Sequence, residues 1–277
     1  MLVLKTIAET RSACAHIHSA GKTLGLVPTM GALHEGHLSL VRAAQASCDA
    51  VAISIFINPT QFGPKEDFAS YPRTFDSDCR ILEEAGVDLL FAPSVGEMYP
   101  DGAGTFVEVA GLSDRLDGVA RPGHFRGVAT VVAKLFHILT PEHAFFGQKD
   151  AAQVAVLRKM VRDLQFSVRL EVGPTVREPD GLAMSSRNRN LSEKERCQAP
   201  VLWQALQRVQ EGFQGGEHGA AKLLAGALPI LEATSQVDYF RIVDPDTLED
   251  LPRARPGALV AIAARVGATR LIDNLLL

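Results

Sequence analysis

Residues 50–57, AVAISIFI, form a continuous run of strand length that is apolar at every position but Ser54. A strand with one wet face alternates apolar and polar side chains, whereas a continuous run marks a strand covered on both faces. Two-sided cover is what helices provide when they alternate with strands, and the chain keeps that alternation up to residue 174. Helical spacing is read over 7–20, over 37–48 (apolar at 38, 41, 44 and 48), over 76–86 with Gly86 as a stop, and over 151–164. In GVATVVAKLFHIL (127–139), positions 128, 131, 132, 135, 136 and 139 share one helix face. Strands are expected at TLGLVP (23–28), VDLLFAP (87–93), FVEVAG (106–111), AFFG (144–147) and VRLEVGP (168–174). The pattern predicts an α/β unit over 1–174 built on a parallel, helix-covered sheet. Ligands of such sheets sit beyond the carboxyl ends of the strands.

After Pro174 the rhythm changes. Helices are expected over 192–213, where Ser192 and Glu195 form a capping box, and over 220–233. Strands at 237–245, 258–266 and 269–273 follow, so residues 175–277 read as a smaller α+β domain. At 277 residues, 47% apolar and 22% charged, the chain can bury a core of that size. A net charge of -4 gives no general attraction to nucleic acid or anionic membrane. No apolar stretch approaches the roughly 18–20 residues of a membrane span, and the N-terminus lacks the pattern of a secretory signal. Cys14, Cys48, Cys79 and Cys197 are scattered without C-x-x-C spacing. That favours reduced thiols over a disulfide frame or zinc site, and hence a cytoplasmic protein.

His34-Glu35-Gly36-His37 stands at the start of a helix that follows the first predicted strand. The spacing is not that of H-E-x-x-H, and no Cys or third His cluster stands nearby to complete a zinc site. A helix N-terminus after a strand instead favours an anion. Gly31 and Gly36 allow close approach to the backbone, and imidazoles there can donate to phosphate oxygens. Two further loops could complete a triphosphate clamp: Gly147-Gln148-Lys149-Asp150, and Met184-Ser185-Ser186-Arg187. The neutral amides Gln61, Gln153 and Asn58 suit a hydroxy acid, since they can bond hydroxyl and carboxylate together. No G-x-S-x-G or Cys/His nucleophile arrangement is present, which fits chemistry by positioning and charge stabilisation. Asp76 and Asp78 open a helix; they could approach a metal ion, but pairing with the helix dipole is the simpler expectation.

The H-x-G-H motif with the Met-Ser-Ser-Arg loop resembles the nucleotidyltransferase superfamily. VPTMGALHEGH (27–37), SIFINPTQFGPKEDFASYPRT (54–74), RPGHFRGVATVVAKLF (121–136), FFGQKDAAQ (145–153), DGLAMSSRN (180–188) and RLIDN (270–274) together resemble its pantoate–β-alanine ligase family over essentially the whole chain. The resemblance implies a Rossmann-like first domain, a smaller C-terminal lid and a homodimer. It implies that ATP and (R)-pantoate give pantoyl adenylate and pyrophosphate, after which β-alanine displaces AMP; Mg²⁺ would arrive with ATP. Met30, Gly31, Ala32, Leu33, His34, Glu35, Gly36 and His37 would form the ATP loop, with His37 as proton donor. Gly147, Gln148, Lys149 and Asp150 would hold ribose and phosphates, and Val176 would line the adenine pocket. Met184, Ser185, Ser186 and Arg187 would close over the triphosphate. The implied catalytic set is His34, His37, Lys149, Ser186 and Arg187. Gln61 and Gln153 would hold pantoate, with Asn58, Tyr71, Arg121 and His124 in a supporting rank. Gln148 departs from the family, which commonly has Glu there. A nucleotidyltransferase that stops after loading a phosphorylated acceptor would need a cationic acceptor pocket, and an ATP-sensing module would leave the amides unexplained.

Overall fold

In chain order the structure, a computed structural model, begins with β1 (Leu2–Leu4), α1 (Ile7–Ser19), β2 (Leu24–Thr29), α2 (Glu35–Ser47) and β3 (Ala50–Ile55). Then come α3 (Phe75–Glu84), β4 (Leu89–Phe91), the short helices α4 (Val95–Met98) and α5 (Asp117–Ala120), and α6 (His124–Leu139). β5 (His143–Gly147), α7 (Ala151–Asp163) and β6 (Arg169–Gly173) complete the first part. The structure describes residues 1–64, 66 and 68–277; Lys65 and Asp67, within the 54–74 stretch, lie outside the described residues. The six strands form one sheet in the order β1-β4-β3-β2-β5-β6, and each ladder is parallel.

The AVAISIFI run is explained by parity, because successive side chains leave a strand on opposite faces. Ala50 and Ala52 join Leu24, Leu26, Leu89 and Phe91 in the cluster that α6 and α7 cover. Val51 and Ile53 join Val27 and Leu90 beneath Leu40, Val41 and Ala44 of α2 and Leu82 of α3. Both faces are dry, so no position in β3 has to be polar.

Beyond β6, an isolated bridge pairs Arg177 with Ala183, and a 3₁₀ turn spans Ser186–Asn190. Helices α8 (Glu193–Gln198), α9 (Val201–Gln214) and α10 (Ala220–Ala227) follow. The antiparallel sheet β7 (Gln236–Val243), β8 (Leu259–Val266) and β9 (Thr269–Leu276) comes last, in that spatial order. Leu202, Leu206 and Val209 of α9 and Leu223 of α10 pack on Val260, Ile262 and Leu271 of this sheet.

Several elements differ from the sequence expectation. Residues 106–111 are not a strand: the N–H of Val107 donates to Thr130 Oγ1 of α6, at 2.9 Å, instead of to a neighbouring strand. The single helix expected over 192–213 is two, because Pro200 supplies no N–H and crowds the preceding turn. Ser192 and Glu195 do form their capping box, on the first of the two. The helix read over 220–233 tightens at Leu228 into a 3₁₀ turn that contains Pro229. β9 extends three residues past the expected end at Asp273.

Candidate functional site

Strand order reverses at β2, which pairs with β3 on one side and β5 on the other. The loops leaving β2 and β5 therefore diverge at their carboxyl ends and leave a crevice between them, the usual ligand position in an open parallel sheet. A cavity of about 230 Å³ lies there. Its wall includes Met30, His34, Gly36, His37, Gln61, Tyr71, Arg121, His124, Gly147, Lys149, Asp150, Gln153, Val176 and Met184 to Arg187. It opens toward a wider cleft of about 750 Å³ under the three-stranded sheet, which shares Arg121, Lys149, Asp150, Gln153 and Arg187.

The 30–34 loop is bent and anchored from below. Gly31 (φ +80°) and Ala32 (φ 51°) are successive left-handed residues, a conformation that glycine adopts freely and alanine does not. Buried Asp78 of α3 holds them: the N–H groups of Ala32 and Leu33 each donate to one of its oxygens at 3.0 Å, and Thr74 Oγ1 adds a third bond. Gly31, Ala32 and Leu33 are consequently buried and do not reach the cavity. Glu35 is exposed and pairs with Arg42. Of the eight residues expected in the nucleotide loop, the structure brings Met30, His34, Gly36 and His37 to the wall. The role of Asp78 was legible only as a helix-opening carboxylate.

The two histidines cap their own helix. His34 Nδ1 accepts the Gly36 N–H at 3.1 Å, and His37 Nδ1 accepts the His34 N–H at 3.3 Å, a capping box built from imidazoles. A Cβ at position 36 would stand 2.9 Å from the His34 ring, so only glycine allows this fold-back. An imidazole that accepts at Nδ1 carries its proton on Nε2. Burial lowers the His34 pKa to about 4, with help from the Lys149 charge, and lowers that of His37 to about 3, with help from His34. Each ring is thus a neutral Nε2–H donor beside a helix N-terminus. Lys149 lies next to Asp150 at 3.5 Å.

The remaining wall is a network of polar side chains. Arg121 forms a two-pronged pair with Glu66 (2.8 and 2.7 Å) and reaches His124 Nε2 at 2.9 Å. His124 Nδ1 donates to the Gln61 carbonyl at 2.8 Å, which fixes its tautomer; burial lowers its pKa to about 4. Tyr71 Oη lies 3.4 Å from Ser186 Oγ, joining the 71 and 186 loops. Asn58 is not at the cavity: it is fully buried, donates to Gln61 Oε1 and the Gly127 carbonyl, and accepts from Thr60. It positions Gln61 and offers a substrate nothing directly. Gln148 likewise turns away and donates to Asn274 Oδ1. Glu66 was not singled out in the sequence, and Asn274 entered only within RLIDN. Among the described residues no group of three or more His, Cys, Asp or Glu side chains could hold a metal ion, and Asp78 is occupied by backbone amides.

A parallel sheet whose crossover presents a helix N-terminus, two imidazole donors, a lysine and an arginine-bearing loop defines a nucleotide-binding α/β protein. The family model described as pantoate-beta-alanine ligase matches residues 2–276. The chain belongs to the pantoate–β-alanine ligase family and is an enzyme of that ligase class. It is 58% identical to the pantothenate synthetase of Acidobacterium capsulatum, covering 99% of this chain and 96% of the relative. It is 57% identical to that of Koribacter versatilis, covering 100% and 96%. The crystal structure of pantothenate synthetase from Thermus thermophilus superposes with a TM-score of 0.94 at 48% identity, covering 100% of this chain and 99% of that one. The ligase from Francisella tularensis, complexed with beta-gamma ATP and beta-alanine, gives 0.82 at 32%, covering 100% and 97%.

Proposed function

We propose that the chain condenses (R)-pantoate with β-alanine at the expense of ATP, giving pantothenate, AMP and pyrophosphate through a pantoyl adenylate. The observation that carries the reading is the convergence, on one crevice wall, of the imidazole pair, Lys149, the Ser185–Arg187 loop and the neutral amides Gln61 and Gln153. In the first step a pantoate carboxylate oxygen attacks the α-phosphorus, a P–O bond forms, and the bond to pyrophosphate breaks. Negative charge grows on the phosphate oxygens during this transfer, and donors fixed in advance stabilise it most. His34 and His37 supply Nε2–H donors, Lys149 an ammonium, and Ser186 and Arg187 the cover. With its Nδ1 taken by the His34 N–H, His37 offers its Nε2–H to the phosphates in this scheme, the same ring face from which the resemblance implies proton donation. In the second step the β-alanine amine attacks the acyl carbon; a C–N bond forms, the bond to AMP breaks, and the amine loses a proton.

Gln61 and Gln153 hold pantoate in this scheme, and Gln61 is itself braced by Asn58 and His124. Mg²⁺ would accompany the ATP phosphates, the usual mode for an ion that keeps waters and phosphate ligands; among the described residues no cage of carboxylates and imidazoles is present for it. The protein acts as a cytoplasmic homodimer. Sedimentation at micromolar concentration tests the last point, since a species of 29.8 kDa would contradict it. The two-step scheme predicts pantoate-dependent exchange of labelled pyrophosphate into ATP with no β-alanine present. Exchange that required β-alanine, or turnover without AMP, would exclude the adenylate.

A further inference from the structure

Lys149 sits on a turn whose support comes from far along the chain. The side chain of Asn274, in β9, is 4% exposed. Its Nδ2 donates to the carbonyls of Gln148 at 2.9 Å and Lys149 at 2.8 Å, and its Oδ1 accepts from Gln148 Nε2 at 3.0 Å. Both amide hydrogens and the amide oxygen are thus directed at the Gln148–Asp150 turn. β9 is itself tied down at two points. Asp273 takes a two-pronged bond from Arg177 (2.6 and 3.0 Å), whose guanidinium lies 3.6 Å from the centroid of the Trp203 ring. Nearer the start of the strand, Arg270 reaches Asp117 of the first unit at 2.8 Å and Asp238 of β7 at 2.7 Å. The strand is thus bonded to both parts of the molecule, and the turn is held by it.

We infer that Asn274 is a positioning residue for Lys149: the C-terminal sheet, through this one amide, sets where the Lys149 ammonium stands in the crevice. The inference rests on the reading of Lys149 as a phosphate contact. It also accounts for Gln148. Asn274 Oδ1 needs a donor, which a glutamine amide provides and a glutamate carboxylate would not. The three bonds tie the place of the 148–149 turn to that of the small sheet, so the position of Lys149 depends on how that sheet is docked. Displacements near 1 Å cost up to about 100-fold when a group must meet a reacting centre.

The test is pyrophosphate exchange by the full chain, with the unmodified protein as control for the adenylation reaction itself. Asn274→Ala should lower kcat about 10- to 100-fold and raise the KM for ATP, with the KM for pantoate unchanged. In a Lys149→Ala background the same substitution should change kcat less than about twofold, since the lysine it positions is gone. Gln148→Ala removes one of the three bonds without touching β9, and should show a smaller loss that also vanishes without Lys149. It serves should Asn274→Ala not fold. Wild-type kinetics in the accessible single variant, or losses that multiply with that of Lys149→Ala, would overturn the inference. Absence of exchange in the unmodified chain would instead refute the adenylation reading on which it rests.

Discussion

His34 and His37 do two jobs with one set of hydrogen bonds. By accepting backbone N–H groups at Nδ1 they end the helix properly, and the same bonds leave each proton on Nε2, toward the crevice. His37→Ala therefore removes a fixed donor, and Lys149→Ala removes a charge that neighbours it. Each is expected to lower the rate of adenylation by at least about 100-fold, the range seen when a transition-state donor is deleted. Circular dichroism of both variants should remain that of the folded protein. Near-normal exchange in either would take that residue out of the reaction. The residue types here were readable from the sequence; which atom carries the proton was not, because that depends on where two backbone N–H groups point.

At the level of elements, α2 begins two residues earlier than its apolar spacing suggests, and the difference creates the site. The stripe Leu40, Val41 and Ala44 defines where the helix packs, whereas its first turn is shaped by Gly36 and the His34 cap. Gly36→Ala should push the His34 ring aside and lower adenylation at least about tenfold. Its effect on stability should be small: losing a cap costs about 0.5–2 kcal/mol, and alanine in place of a helical glycine returns up to about 1 kcal/mol. A thermal melt beside the exchange assay separates the two effects. Strands and helices with strong apolar spacing were legible nearly to their ends, AVAISIFI best of all. The strand misread at 106–111 and the helix broken at Pro200 show the limit, since a short apolar stretch can satisfy its backbone against a side chain as well as against a strand. The anchoring roles of Asp78 and Asn274 were not legible because each acts on backbone groups more than forty residues away, to which no local pattern points.

For the whole molecule, three imidazoles, His124 buried and His34 and His37 half-buried, tie stability to pH. His34, His37 and His124 are lowered from 6.5 to about 4, about 3 and about 4, with burial the largest cause in each. The unfolded chain takes up protons at these positions below about pH 6.5, and the folded chain does so only nearer pH 4 or 3. Stability is therefore complete above 6.5 and declines as pH falls through that window. The slope of melting temperature between pH 6.5 and 4 should be shallower for His37→Gln than for the unmodified chain; equal slopes would show that His37 contributes nothing to it. The reversed strand order has a consequence in time. The crevice exists only once Gly25 stands opposite His143, and its lysine turn is in place only once β9 has docked. Contacts so distant along the chain close late during folding, after helices that need only their neighbours. In refolding from urea, helical ellipticity should return before catalytic competence, and the interval between them measures how long the chain is nearly native but still inactive.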